Sequence, residues 1–135
     1  MMRILKSNKG FSELVGSLVG LMVITCMLII SITFIKVVNH QSALNEFGNQ
    51  MIQTVSDYGK TSGIEITQRY EQLEDSLQLA PDISYDANYL SASKVQYGDL
   101  ITLTIKSEAQ INILGFDRLM EFEITKTGRS KYYHK

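Results

Sequence analysis

This chain of 135 residues is short of the residues that most often carry chemistry. It has one cysteine, Cys26, so no disulfide can close within it. Cys26 lies in the middle of an apolar run and reads as a small packing residue of a helix. Its two histidines, His40 and His134, stand far apart in sequence and offer no ligand set for a metal. The formal net charge is −1, which excludes the broad basic field that would point to nucleic acid. The length suits one domain plus an attachment rather than two domains. There is one proline, Pro81, and from Leu14 to Ile35 there is neither proline nor charge.

That uncharged stretch is the strongest signal present. Its 22 residues, as a helix rising about 1.5 Å per residue, would span roughly 33 Å, close to the hydrocarbon thickness of a bilayer. A cleavable secretory signal has a shorter apolar region followed by a site of small residues. The run therefore reads as a retained transmembrane helix. Arg3, Lys6 and Lys9 precede it and no acid appears before Glu13, whereas Lys36 on the far side is offset by Glu46. The bias of basic residues predicts an N-terminus in the cytoplasm and a C-terminal part outside.

Beyond the run the helical period continues. Leu44, Phe47, Met51, Val55 and Tyr58 make a narrow apolar stripe at steps of three and four. One helix from about Phe11 to about Tyr58 is expected, half in lipid and half in water. Its wet stripe needs cover, from the chain's own head or from neighbouring copies. Gly48 is a weak point in it, costing up to about 1 kcal/mol against alanine.

All seven tyrosines fall after residue 57, where the composition becomes that of a soluble domain. "GKTSG" at 59–63 is a break. Ile66, Tyr70, Leu73, Leu77 and Ala80 predict a short second helix ended by Pro81. The period then changes to two: Ile83, Tyr85, Ala87 and Tyr89; Ile101, Leu103 and Ile105; Met120, Phe122 and Ile124. These are half-buried strands, expected to be antiparallel, with turns at "YGD" (97–99) and "LGFD" (114–117). A further short strand fits Lys94–Tyr97. The fold class is α+β: a long N-terminal transmembrane helix, a short second helix and a small antiparallel sheet of three to four strands. The organisation is a basic leader at 1–10, the long helix at 11–58 with its membrane part at about 14–35, and an extracytoplasmic helix-plus-sheet head at 59–135.

Several short motifs do not assemble into sites. "SASK" at 91–94 and "KTG" at 126–128 match pieces of serine acyl-transferases, but 91–94 follows a strand and no third element lies between. "GKT" at 59–61 lacks the preceding P-loop glycine, since Thr54 stands there, and reads as a helix end. Glu121 and Glu123 on one strand face, and Glu71, Glu74 and Asp75 on one helix face, are solvated surfaces. "RSKYYHK" at 129–135 is basic and aromatic and reads as a frayed tail. No nucleophile, base and oxyanion donor converge, so no enzyme, catalytic residue or cofactor is expected.

The mouth of the apolar run has an unusual order: basic leader, Gly10, Phe11, Glu13, then the uninterrupted helix. It resembles the cleavage region of type IV prepilins. The resemblance implies a cut by a membrane prepilin peptidase between Gly10 and Phe11, removing Arg3, Lys6 and Lys9 and taking the formal charge from −1 to −4. The layout of a long helix carrying a small helix-plus-sheet head is similar to the pilin plan. With "YGDLITLTIK" and a closing "GRSKYY", the head looks like the TadE-like minor pilins, or pseudopilins, of tight-adherence systems. The resemblance implies a pilin-like structural subunit of a surface pilus or secretion assembly, held in the cytoplasmic membrane. In that family the acid falls fifth after the cut, where this chain has Val15. Glu13 is third. The family role of the acid is to neutralise a neighbour's N-terminal amine. Glu13 either does this from a shifted place, pairs with its own chain's amine, or simply favours the positive end of its helix, an effect of about 0.3–1 kcal/mol.

Gly16 and Gly20 in "GSLVG" form a G-x-x-x-G pair, extended one turn back by Ser12. Small residues at this spacing let helices approach closely in lipid. The expected partners are therefore the membrane, the peptidase and other pilin-like subunits packed along the N-terminal helix. The alternative is a stand-alone single-pass protein whose head binds a partner or ligand.

Overall fold

A computed structural model describes residues 2–134, with side chains from Asn8 to His134. Met1, Lys135 and the side chains of residues 2–7, Arg3 and Lys6 of the expected leader among them, lie outside the described residues. The architecture is α+β. Helix α1 spans Met2–Tyr58 and α2 spans Ile64–Leu77. Five strands complete the order: β1 (Asp82–Ala87), β2 (Tyr89–Ser91), β3 (Lys94–Val95), β4 (Leu100–Ile113) and β5 (Phe116–Arg129).

Helix α1 begins well before the expected Phe11. No proline interrupts the leader, and Gly10 costs only about 1 kcal/mol inside a helix that good formers propagate on both sides. The helix stops where predicted. Gly59 turns left-handed at φ 62°, and its N–H donates to the Val55 carbonyl at 2.9 Å. Helix α2 ends earlier than Pro81. Gln78 takes the left-handed conformation directly after Leu77, and Leu79 turns back into the core. Pro81 stands just before β1 rather than breaking α2.

The main sheet has the order β1-β4-β5, so the long β4 is central. Strand β1 pairs antiparallel with β4, matching Ile83 to Ile105, Tyr85 to Leu103 and Ala87 to Ile101. Apolar partners share one face and Asp82, Ser84 and Asp86 the other, which is what fixes register in a half-buried sheet. Residues Leu114 and Gly115 join β4 to β5 with φ of 52° and 87°. Positive φ at both turn positions is the twist that suits a two-residue hairpin. Tyr89 does not continue β1. It opens β2, which pairs with β3 in a separate small hairpin and leaves Tyr89 exposed.

Contacts divide the described chain into two compact units. One comprises α1 up to Val37 with Ile111–Arg118. The other comprises Val38–Gln110 with the residues from Leu119 onward, and it holds the core. There, Leu44, Phe47, Met51 and Val55 of α1 are fully buried among Ile66 and Leu73 of α2 and Ile101, Leu103 and Ile105 of β4. The chain's own head thus covers the wet stripe, except Tyr58, which is exposed. Burying each of these side chains contributes roughly 1.5–3 kcal/mol. Ile83, Tyr85, Phe122 and Ile124 pack half-buried around this cluster, whereas Met120 is exposed.

Gly48 is more than a weak point. A Cβ there would lie 2.9 Å from Ile105 Cδ1 and 3.0 Å from Lys126 Cγ, so the missing side chain lets the sheet approach the helix. Gly128 on β5 does the same from the opposite side, against Ser56 and Ile52. The C-terminal segment is not frayed. Ser130 is buried, its N–H donates to Asp99 O at 3.0 Å, and its carbonyl accepts from Gly98 N–H at 2.8 Å. Lys131 N–H then donates to Ser56 O at 2.8 Å, and the His134 ring lies 3.0 Å from Gly59 O.

Candidate functional site

The residues singled out for processing and assembly all lie on the N-terminal part of α1. Gly10, Phe11, Glu13, Gly16 and Gly20 are exposed, Phe11 at 69 %. A Cβ at Gly10, Gly16 or Gly20 would meet nothing within 4 Å. Gly16 and Gly20 are one turn apart and share a face, as do Ser12 and Gly16. They leave a shallow strip along which another helix backbone could lie. The Gly10–Phe11 bond is inside the helix, preceded by Ser7, Asn8 and Lys9. Serine, asparagine and glycine hold helix weakly, so the stretch around this bond has a low helix propensity of its own.

Three hydroxyls of the apolar run bond back to the helix's own carbonyls. Thr25 donates to Leu21 O at 2.9 Å, Ser31 to Met27 O at 2.8 Å and Thr33 to Ile29 O at 2.9 Å. In lipid each polar group needs such a partner, because no water replaces it. The helix is long and apolar enough to cross a membrane, and its most apolar stretch is unburied by the rest of the chain. This is the composition of a single-pass membrane protein.

Clefts in the head are open and carry no reactive constellation. One, about 560 Å³, is lined by residues including His40, Asp82, Lys106, Ser107, Glu108 and Glu121. His40 stacks at 4.9 Å on Phe122 and its Nε2 lies 3.1 Å from Ser107 Oγ, which is a packed and hydrogen-bonded histidine. Among the described residues, no three His, Cys, Asp or Glu side chains are placed to hold a metal ion. Ser91 and Lys94 of "SASK" pair across the β2–β3 hairpin, "KTG" lies within β5, and Gly59 of "GKT" caps α1. Burial is also the main cause of the one strong pKa perturbation among the described residues. Tyr85 is held protonated well above the usual tyrosine range by desolvation, with Tyr89 adding to it, and its buried hydroxyl has no partner among the described residues. The Tyr70 hydroxyl is raised by burial and then by Glu74 and Asp82, but it donates to Pro81 O at 2.8 Å.

A family model described as a domain of unknown function, DUF4320, matches residues 21–135. The chain belongs to this family. No curated protein and no solved structure matches it significantly. The DUF4320 match takes in most of the membrane-length run and all of the head. Gly10, Phe11, Glu13, Gly16 and Gly20 precede it. Within the matched region, the residues that sequence reasoning missed are small ones: Gly128, Ser56 and Ser130. Nothing in their local pattern marks them. They matter because β5 and the C-terminal segment close over the end of α1, and only the tertiary contact reveals it.

Proposed function

We propose that the chain is a pilin-like structural subunit, a minor pilin or pseudopilin of a bacterial surface pilus or secretion assembly. It is inserted in the cytoplasmic membrane with its N-terminus inside and its head outside, and it assembles through the N-terminal half of α1. The observation that carries this reading is the contrast along one helix. The lower stripe, Leu44 to Val55, is buried by the chain's own head, while the face bearing Gly16 and Gly20 is bare. A helix whose wet half is already covered needs no partner there. Its small-residue strip in the apolar half suits lipid-embedded helix contact. On this reading prepilin peptidase cuts at Gly10–Phe11, Glu13 meets the amine of a neighbouring or its own chain, and the protein performs no catalysis.

The continuous helix from Met2 through Gly10 favours a second reading, a stand-alone single-pass protein whose extracytoplasmic head binds a partner or ligand. Mass spectrometry of the N-terminus separates the two. In a host with prepilin peptidase, the pilin reading expects a chain beginning at Phe11, and retention of the leader in Gly10→Leu. An intact N-terminus in the unsubstituted protein would leave the stand-alone anchor as the better account.

A further inference from the structure

The β4–β5 hairpin ends in an apolar tip. Phe116 is 75 % exposed and Leu114 50 %, with Ile113 beside them. With Arg118 they line a shallow recess of about 240 Å³. Exposed apolar side chains at a hairpin tip are costly in water and call for an occupant. The tip belongs to the same compact unit as the N-terminal part of α1. Thr33 Oγ1, whose proton goes to Ile29 O at 2.9 Å, also lies 3.3 Å from the Asn112 carbonyl oxygen, which puts the tip at the level of Thr33. Thr33 is three residues before Lys36, the first charge after the apolar run, so it lies within roughly 5 Å of the run's end at about 1.5 Å per residue.

We propose that this tip inserts into the lipid of the membrane's outer interface, with Ile113, Leu114 and Phe116 among the upper acyl chains and Arg118 reaching the headgroup phosphates. The inference rests on the reading of α1 as a membrane helix. Level with Thr33, the side chains of the tip meet the same lipid that α1 meets. Its own polar groups are prepared for a dry setting. Asn112 Oδ1 accepts from Gly115 N–H at 3.1 Å, and Asn112 Nδ2 donates to Asp117 Oδ1 at 2.7 Å. Unpaired turn groups would be expensive at this depth, and these bonds satisfy the Gly115 N–H and the Asn112 amide within the tip. The one acid of the tip, Asp117, accepts this amide hydrogen bond and has Arg118 as its sequence neighbour. A long cationic side chain beside apolar ones is the arrangement that snorkels at an interface. The hairpin makes a second, shallow point of attachment that restrains rotation of α1 in the bilayer.

The chain has no tryptophan, so a single one reports its own surroundings. Phe116→Trp and, as the reference for the span, Ile24→Trp are reconstituted separately in phosphatidylcholine–phosphatidylglycerol vesicles. The vesicles carry bromine either near the top or near the end of the acyl chains, and N-acetyl-tryptophanamide in the same suspension marks the aqueous limit. The expected result is blue-shifted Phe116→Trp emission lost most to shallow bromine, and Ile24→Trp emission lost most to deep bromine. Phe116→Trp emission like that of the aqueous standard, reached by acrylamide and not by bromine, would overturn the proposal while Ile24→Trp still reports a membrane helix. Blue-shifted emission insensitive to bromine at any depth would place protein rather than lipid over the tip and overturn it as well. If Ile24→Trp itself is not quenched by lipid, the membrane reading fails and the hairpin proposal falls with it.

Discussion

Leu103→Ala should be among the most damaging conservative changes in the head. Leu103 is fully buried in the first half of central strand β4, opposite Tyr85 and between Ile101 and Ile105 on the covered face. Truncating it removes the transfer free energy of the lost methyl groups and leaves a cavity between sheet and helix, about 2–5 kcal/mol in total. A domain of this size has roughly 5–15 kcal/mol of stability, so the loss is a large share. At about 4–8 °C per kcal/mol, the melting temperature should fall by roughly 8–40 °C. The assay should ignore α1, whose membrane part stays helical regardless. Near-UV circular dichroism does so, because every tyrosine lies after residue 57 and the chain has no tryptophan. The matched control is Met120→Ala. The alternation of the sequence puts Met120 with Phe122 and Ile124, but it is 40 % exposed, and its truncation should change stability by no more than about 0.5 kcal/mol. Similar small shifts for both variants would refute the packing described for β4.

Gly59→Ala should cost about 1–3 kcal/mol in the same melts, because its φ of 62° disfavours any side chain and a Cβ would lie 2.8 Å from Ser130 Oγ. Gly98→Ala, with φ of 81° but nothing within 4 Å, should cost only its conformational share, about 1–2 kcal/mol. Tyr85→Phe should be neutral or stabilising, since it removes a buried hydroxyl without a partner, whereas Tyr70→Phe should lose about 0.5–1.5 kcal/mol with its bond to Pro81 O. Both tyrosines are raised above the ordinary value of 10.0, so the folded state keeps protons that the unfolded state releases. Their contribution is present below pH 10 and is lost as pH rises above it; Tyr85→Phe should flatten that alkaline loss in denaturant titrations across the range. Cysteines at Gly16 or Gly20 in a Cys26→Ala background should cross-link in membranes, and Gly16→Leu/Gly20→Leu should abolish assembly while leaving head stability unchanged; complexes formed at the normal level by the double variant would refute the helix-assembly reading.

The sequence by itself determined the features that depend on near neighbours. The uncharged run from Leu14 to Ile35, the stripe from Leu44 to Val55 and the period-two segments in β1, β4 and β5 were legible because helix and strand place side chains at fixed repeats. The candidate residues Gly10, Phe11, Glu13, Gly16 and Gly20 were chosen from local order within three turns of one helix, and only the structure shows that they are exposed. Tertiary structure decided what covers what. Periodicity could not say whether the wet stripe meets a neighbour or the chain's own sheet, because both bury the same side chains. It grouped Tyr89 with β1 and Met120 with Phe122 and Ile124, since alternation carries no information on where a strand ends or how far along it the cover extends. It read Gly48 as a local cost, because a close approach between a helix and a sheet is a distance between residues far apart in sequence. The same distance made Gly128 and Ser130 invisible until β5 and the C-terminal segment were seen closing over α1.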